Sequence, residues 1–202
     1  MKRLVAKLYS CLGRYHPLVY GSPYEGVLHA APGKVALSEF LRKRGAPLPP
    51  SYKRFLKMHN GWSGYVAGFT LVGVGGKHTT GARRDIRETL EIVADAWKAP
   101  HAKPGRGALA KVEGAGGDDG AAVVDMIPFG TDFNGALLLF DPRTRRKDGE
   151  MEVVLHDTSG PSKLYRGFAE MLRIDYREIS QETRELGKRE SGGETISAPA
   201  VD

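Results

Sequence analysis

A chain of 202 residues, 41% hydrophobic and 27% charged, can bury one medium-sized core and lies close to the soluble globular average, which excludes wholesale disorder. Its apolar runs, such as Ala136 to Phe140, fall far short of the roughly 18 residues of a spanning helix, so no membrane partner is expected. The net charge of +6 arises within residues 1–46, where eight Lys/Arg face two acids, while residues 47–202 carry 22 of each sign; such a basic N-terminal stretch draws acidic partners of any kind.

In chain order, Leu4, Val5, Leu8, Cys11 and Leu12 share one face and predict a helix over Lys2 to Leu12, stopped by Gly13. Tyr15 to Pro32, rich in Pro, Gly and Tyr, reads as loop or short extended chain. Lys34 to Arg44 predicts a second helix with Leu37, Phe40 and Leu41 inward, closed by Gly45 and the Pro47-Leu48-Pro49-Pro50 run. Ser51 is the expected cap of a third helix, whose Tyr52, Phe55, Leu56 and His59 fall at i, i+3, i+4 and i+7 and which Asn60-Gly61 ends. A strand is expected over Tyr65 to Gly73, and a fourth helix over Arg84 to Lys98 with Ile86, Leu90, Val93 and Trp97 on one stripe. Pro100 stops it, and His101 to Gly120 reads as a long glycine-rich loop. Val123 to Phe129, Ala136 to Asp141 and Met151 to His156 predict three strands, joined by Asn134-Gly135 and by a basic loop ending in Asp148-Gly149. Both dipeptides accept positive φ, so an antiparallel meander follows. A last helix is expected from Ser162 toward Leu186, capped by Gly187. The expected organisation is a basic extension over 1–32, a single domain over 33–186 and a disordered tail over 187–202.

Chemistry-bearing patterns are sparse. Around Gly76-Lys77 a phosphate loop fails twice, with Leu71 in place of its first glycine and His78 in place of its hydroxyl. Gly73-Val74-Gly75 lacks the third glycine of a dinucleotide fingerprint, since His78 stands there. The six histidines include no i, i+4 pair, and the lone Cys11, on an apolar helix face, can neither form an internal disulfide nor build a multi-cysteine metal site. His59 reads as a packed histidine, Asp118-Asp119 as loop acids, and Arg143, Arg145, Arg146 and Lys147 as a basic turn. His156-Asp157 has no nucleophile to serve. Tyr9, Tyr15, Tyr20 and Tyr24 interleave with basic residues, which leaves nucleic acid as a weak partner reading against an arm that packs its tyrosines on the domain. Nothing assembles a catalytic set, so binding is the expected function, with no cofactor, no metal and no enzymatic activity. Lys7 interrupts the apolar opening before it could form the core of a secretory signal, and a cytoplasmic location is expected.

Gly45-Ala46-Pro47-Leu48-Pro49-Pro50-Ser51-Tyr52-Lys53-Arg54-Phe55-Leu56, running into His59-Asn60-Gly61-Trp62, resembles the signature of the SUKH superfamily, which includes fungal cell-wall-synthesis regulators and many bacterial immunity proteins against polymorphic toxins. Ile127 to Gly135 followed by Leu138-Leu139-Phe140-Asp141 is similar to the family's paired central strands, and Phe168-Ala169-Glu170-Met171-Leu172 to its closing helix. The resemblance spans about residues 34–178. It departs at Ala136, where many bacterial members carry an acid.

The resulting expectation is an α+β fold, a curved and mostly antiparallel sheet with helices packed around it, acting as a non-enzymatic protein-binding module. The resemblance implies an immunity protein whose partner is a cognate toxin, with a regulatory scaffold as the alternative. Partner contacts are assigned to Asn60, Trp62, Tyr65, Asp132, Asn134 and Asp141; Trp62 either fills the core or faces the partner.

Overall fold

The computed structural model describes residues 1–43, 45, 47–98, 122–157 and 160–191. The expected loop 101–120, with His101 and Asp118-Asp119, and residues 192–202 of the expected tail lie outside them. Among the described residues, contacts divide the chain into two units, residues 26–171 with Met1, and residues 2–25 with 172–202.

The first unit is built on one sheet whose strands lie side by side in chain order: β1 Val27–Ala30, β2 His59–Ser63, β3 Thr70–Val72, β4 Ile127–Thr131, β5 Leu137–Asp141, β6 Glu152–Asp157 and β7 Gly160–Tyr165. All neighbouring pairs are antiparallel, so the fold is α+β and the expected meander of β4, β5 and β6 holds. Register shifts in the β1–β2, β4–β5 and β6–β7 pairs, with the extra residue on β2, β4 and β7, curve the sheet, because an extra residue bends its strand. The shift in β4 falls between Pro128 and Gly130, where the ladder tolerates a residue with no N–H to donate.

Helices α2 Lys34–Lys43, α3 Pro50–Leu56 and α4 Lys77–Lys98 also belong to this unit. Every residue of β5 is buried, which explains its unbroken apolar run. Leu137 and Leu139 join Val72, Ala82, Ile86 and Val154 in one cluster, with Leu90 and Val93 of α4 packed against it. The period-2 alternation of a strand sends Phe140 the other way, where its ring stacks on Phe129 at 4.0 Å and meets Tyr52 edge-on at 5.2 Å. Phe168, the first residue of α6 Phe168–Ser191, completes this aromatic core 5.0 Å from Tyr52, and the Tyr52 hydroxyl donates to the Val72 carbonyl.

Several element boundaries differ from expectation. The third helix stops at Leu56, and His59, Asn60 and Gly61 enter β2. Ser51 lies inside α3, behind Pro49 at the cap position, and donates its own N–H and hydroxyl to Glu150. The strand expected over Tyr65 to Gly73 shrinks to β3 because a tight turn, Val66–Gly68, interrupts it with Ala67 at φ 54° and Gly68 at φ 78°. Helix α4 begins seven residues early, at Lys77, where the Thr79 and Thr80 hydroxyls fold back on the Gly76 carbonyl. A short helix α5, Ala122–Asp125, replaces the first part of the expected strand before β4. The stretch from Ser162 to Tyr165 is strand β7, paired with β6, so the last helix starts only at Phe168.

The second unit contains α1 Lys2–Tyr20 and α6 from Leu172 onward. Val5, Leu8, Cys11 and Leu12 are buried as their spacing required. The helix nevertheless passes through Gly13 and Pro17, against a cost of roughly 1 kcal/mol for a helical glycine and roughly 3 kcal/mol for a helical proline, and Tyr15 and Leu18 continue its half-buried stripe. Helix α6 likewise runs through Gly187 to Ser191. Tyr9 meets Tyr24 edge-on at 5.5 Å, and His16 lies against Tyr20 and Tyr24.

Candidate functional site

Two surface features of the first unit are candidate binding sites. The first is an open groove of about 660 Å³ between α2 and the loop from β3 to α4. Asn60, on β2, builds its floor: its side-chain N–H donates to the Gly75 carbonyl at 2.8 Å, and its side-chain oxygen accepts the Val74 N–H at 2.7 Å. Its main-chain carbonyl accepts the His78 Nε2–H at 2.7 Å, so one residue holds the glycine-rich loop and the opening turn of α4 together. The His78 ring stacks on His29 with centroids 3.7 Å apart, and His29 Nε2 bonds the Ser63 hydroxyl at 2.8 Å. Burial first, then the neighbouring His78, holds His29 below the usual imidazole range. Burial also lowers His59, against a weaker upward pull from its bond to the His29 backbone.

Over this floor, Arg83 of α4 donates both Nη2 protons to main-chain carbonyls, Gly73 at 2.7 Å and Val74 at 2.9 Å, while its guanidinium lies 5.5 Å from the Phe40 ring centre. Lys43 and Glu39 line the opposite wall from α2. These groups can hold a charged or polar segment by hydrogen bonds and electrostatics.

The second feature is the tip of the β4–β5 hairpin. Asp132 Oδ1 accepts the N–H of Asn134 at 2.9 Å and of Ala136 at 2.8 Å, and Gly135 turns the chain at φ 83°. The turn therefore projects Phe133 outward, and that ring is 85% exposed. Its edge lies over Gly68, in the turn that contains the left-handed Ala67.

The six expected contact residues separate. Asn60 lines the groove, and Asp132 and Asn134 flank Phe133. Trp62 is wholly buried, edge-on to Tyr65 at 5.0 Å, and Tyr65 is 3% exposed, so the core placement of Trp62 is the one the fold adopts. Asp141 is also buried: burial pushes its carboxyl up, but the Arg143 hydrogen bonds at 2.9 and 2.7 Å outweigh this and hold it below the usual carboxylate range. In this conformation the Trp62 and Tyr65 rings are buried and the Asp141 carboxylate is closed by its ion pair with Arg143. His156, at the end of β6, is lowered by burial, with Asp157 opposing the shift. Among the described residues no three His, Cys, Asp or Glu side chains cluster as metal ligands, and no helix is long and apolar enough to cross a membrane.

A family profile, SMI1/KNR4 (SUKH-1), matches residues 32–174, more than half of the chain and both features just described. The chain belongs to the SMI1/KNR4 family. No curated protein matches it. All of α1, strand β1 and the far end of α6 fall outside the SUKH-1 match, whereas the groove, the aromatic core and the hairpin lie within it. Phe133 and Arg83 escaped the sequence reading of this SUKH-1 module. A large ring between two turn formers, Asp132 and Asn134, was a usable signal for the first. Arg83 carried none, since only the folded β3–α4 loop brings it to Phe40.

Proposed function

We propose that this SUKH-1 domain is a non-enzymatic protein-binding module that serves as an immunity protein, binding a cognate bacterial toxin in the cytoplasm and blocking it sterically. The observation that carries this reading is Phe133, an aromatic ring 85% exposed on a turn closed by two hydrogen bonds to one carboxylate. Burying such a ring in a partner's pocket releases apolar surface from water at little ordering cost, because the turn is already rigid. The family match supports the module, and the rigid aromatic tip supports a protein partner.

The test is co-expression with any toxin that a neighbouring gene encodes, paired with an affinity measurement on the purified proteins. The expected outcome is rescued growth and a complex that Phe133→Ala weakens by about 30-fold, roughly 2 kcal/mol, with an unchanged melting temperature. Absence of both rescue and binding overturns the immunity role. Equal capture of several unrelated cellular proteins points to a regulatory scaffold instead.

A further inference from the structure

We propose that the groove is a receptor for carboxylate side chains, taking an extended acidic segment of the protein partner; this rests on the protein-binding reading above. The argument begins with the donors of Arg83. A guanidinium has five N–H groups in a fixed plane. The two on Nη2 are engaged by the Gly73 and Val74 carbonyls. The Nε–H and both Nη1 protons have no acceptor among the described residues, and the group lines the groove.

The two carbonyl bonds and the Phe40 ring, 5.5 Å from the guanidinium carbon, fix the group in place. An incoming anion therefore meets donors already oriented, and little rotamer entropy remains to be lost. Lys43, three residues after Phe40 on α2, adds a second cation to the same groove. Neither Arg83 nor Lys43 is in ion-pair contact with an acid among the described residues. Among the described lining residues Glu39 is the single acid, so they carry two cations against one anion.

Carboxylates fit these walls better than a nucleic-acid backbone does. Phe40, Ala36, Val74 and Pro32 present apolar surface between the charges, suited to the stems of Glu side chains. Glu39 opposes a run of closely spaced phosphates, whose affinity comes mainly from many cations acting together. The cavity volume falls within the roughly 300–1,000 Å³ of specific ligand clefts.

The experiment titrates the full chain with a capped hexaglutamate peptide, with inorganic phosphate and hexathymidine as the other probes, read by amide and guanidinium NMR shifts and by calorimetry. Hexaglutamate is expected to shift the Arg83 Nε–H and the Gly75 and Gly76 amides, with an affinity that falls as salt is raised. Lys43→Glu, at an exposed position, should weaken it about tenfold, the value of roughly 1.4 kcal/mol, at unchanged melting temperature. Replacing Lys2, Arg3 and Lys7 by Gln should leave it unchanged. Arg83→Gln should abolish it; because Arg83 also braces the loop, the Lys43 variant decides the matter if that protein unfolds. Shifts confined to the N-terminal helix, or equal affinity for hexaglutamate and hexathymidine, overturn the proposal. Toxin binding untouched by Lys43→Glu also overturns it and leaves the immunity reading standing. If the wild-type protein binds no toxin, the immunity reading fails, while the hexaglutamate shifts still decide whether the groove takes carboxylates.

Discussion

Glu150 holds the start of α3 from 99 residues away, and removing its carboxylate should cost about 3 kcal/mol. One oxygen accepts the Ser51 N–H at 2.8 Å and the other the Ser51 hydroxyl at 2.6 Å. Ser51 is fully buried and the Glu150 side chain only 13% exposed. The nearby Arg54, 3.8 Å away and 60% exposed, adds little. The carboxylate is aimed by its own turn: the Asp148 side chain accepts the Glu150 N–H, and Arg146 exchanges main-chain bonds with Gly149 and Glu150. A hydrogen bond to a charged acceptor contributes about 1.5–3 kcal/mol, and a buried donor left unpaired costs about 1–3 kcal/mol. Glu150→Ala removes two such bonds, but water entering the space recovers part of the loss, which leads to the figure of about 3 kcal/mol. Glu150→Gln keeps one acceptor and should lose about half of that. Ser51→Ala removes only the hydroxyl bond and should lose about 1–2 kcal/mol. The double-mutant cycle should then show a coupling of about 1–1.5 kcal/mol. Urea unfolding followed by tryptophan fluorescence and far-ultraviolet circular dichroism measures each value, and for a protein of this size the Glu150→Ala melting point should fall by about 6–12 °C. A Glu150→Ala protein within about 0.5 kcal/mol of wild type, or a cycle with no coupling, refutes the reasoning.

Gly61→Ala and Gly13→Ala should move stability in opposite directions. At Gly61, φ is +96° and an added Cβ would stand 2.6 Å from the Leu71 carbonyl oxygen and 2.8 Å from the Gly73 nitrogen, both immobile backbone; a loss of about 3 kcal/mol or more is expected in urea unfolding. Gly13 has open space around it inside α1, so alanine there should add about 0.5–1 kcal/mol. Tyr15 supplies a pH test: burial, then the charge of and hydrogen bond to Glu182, push its phenol up to about 12. Because the folded value lies above the unfolded one of about 10, its contribution to stability is fully present below about pH 10 and is lost as pH rises through about 12. Phenolate absorbance should lose a late-titrating component in Tyr15→Phe, and that component should titrate earlier in Glu182→Gln.

The meander was legible in the sequence because its signals are local. Asn134-Gly135 and Asp148-Gly149 both turn at a glycine of positive φ, and the apolar runs that follow them became β5 and β6. The motif Pro49-Pro50-Ser51-Tyr52 likewise carried the family resemblance that the profile match bears out. Helix ends were read less well. His59 continues the α3 stripe, yet Asn60 and Gly61 pair with β3 and with the glycine-rich loop, contacts far apart along the chain. Ser51 has the identity of a cap, and its role was redirected by a carboxylate that no local window contains.

Composition, apolar spacing and turn dipeptides by themselves determined the α+β class, most strands and the buried stripes of α1 and α4, since each depends on neighbours within a few residues. The binding surface was decided only by tertiary structure. Whether Trp62 or Phe133 meets solvent, and whether Arg83 keeps unused donors at a groove, depends on which distant backbone approaches it. Sequence spacing carries no record of that approach, because the sheet and the loops above it set the distances.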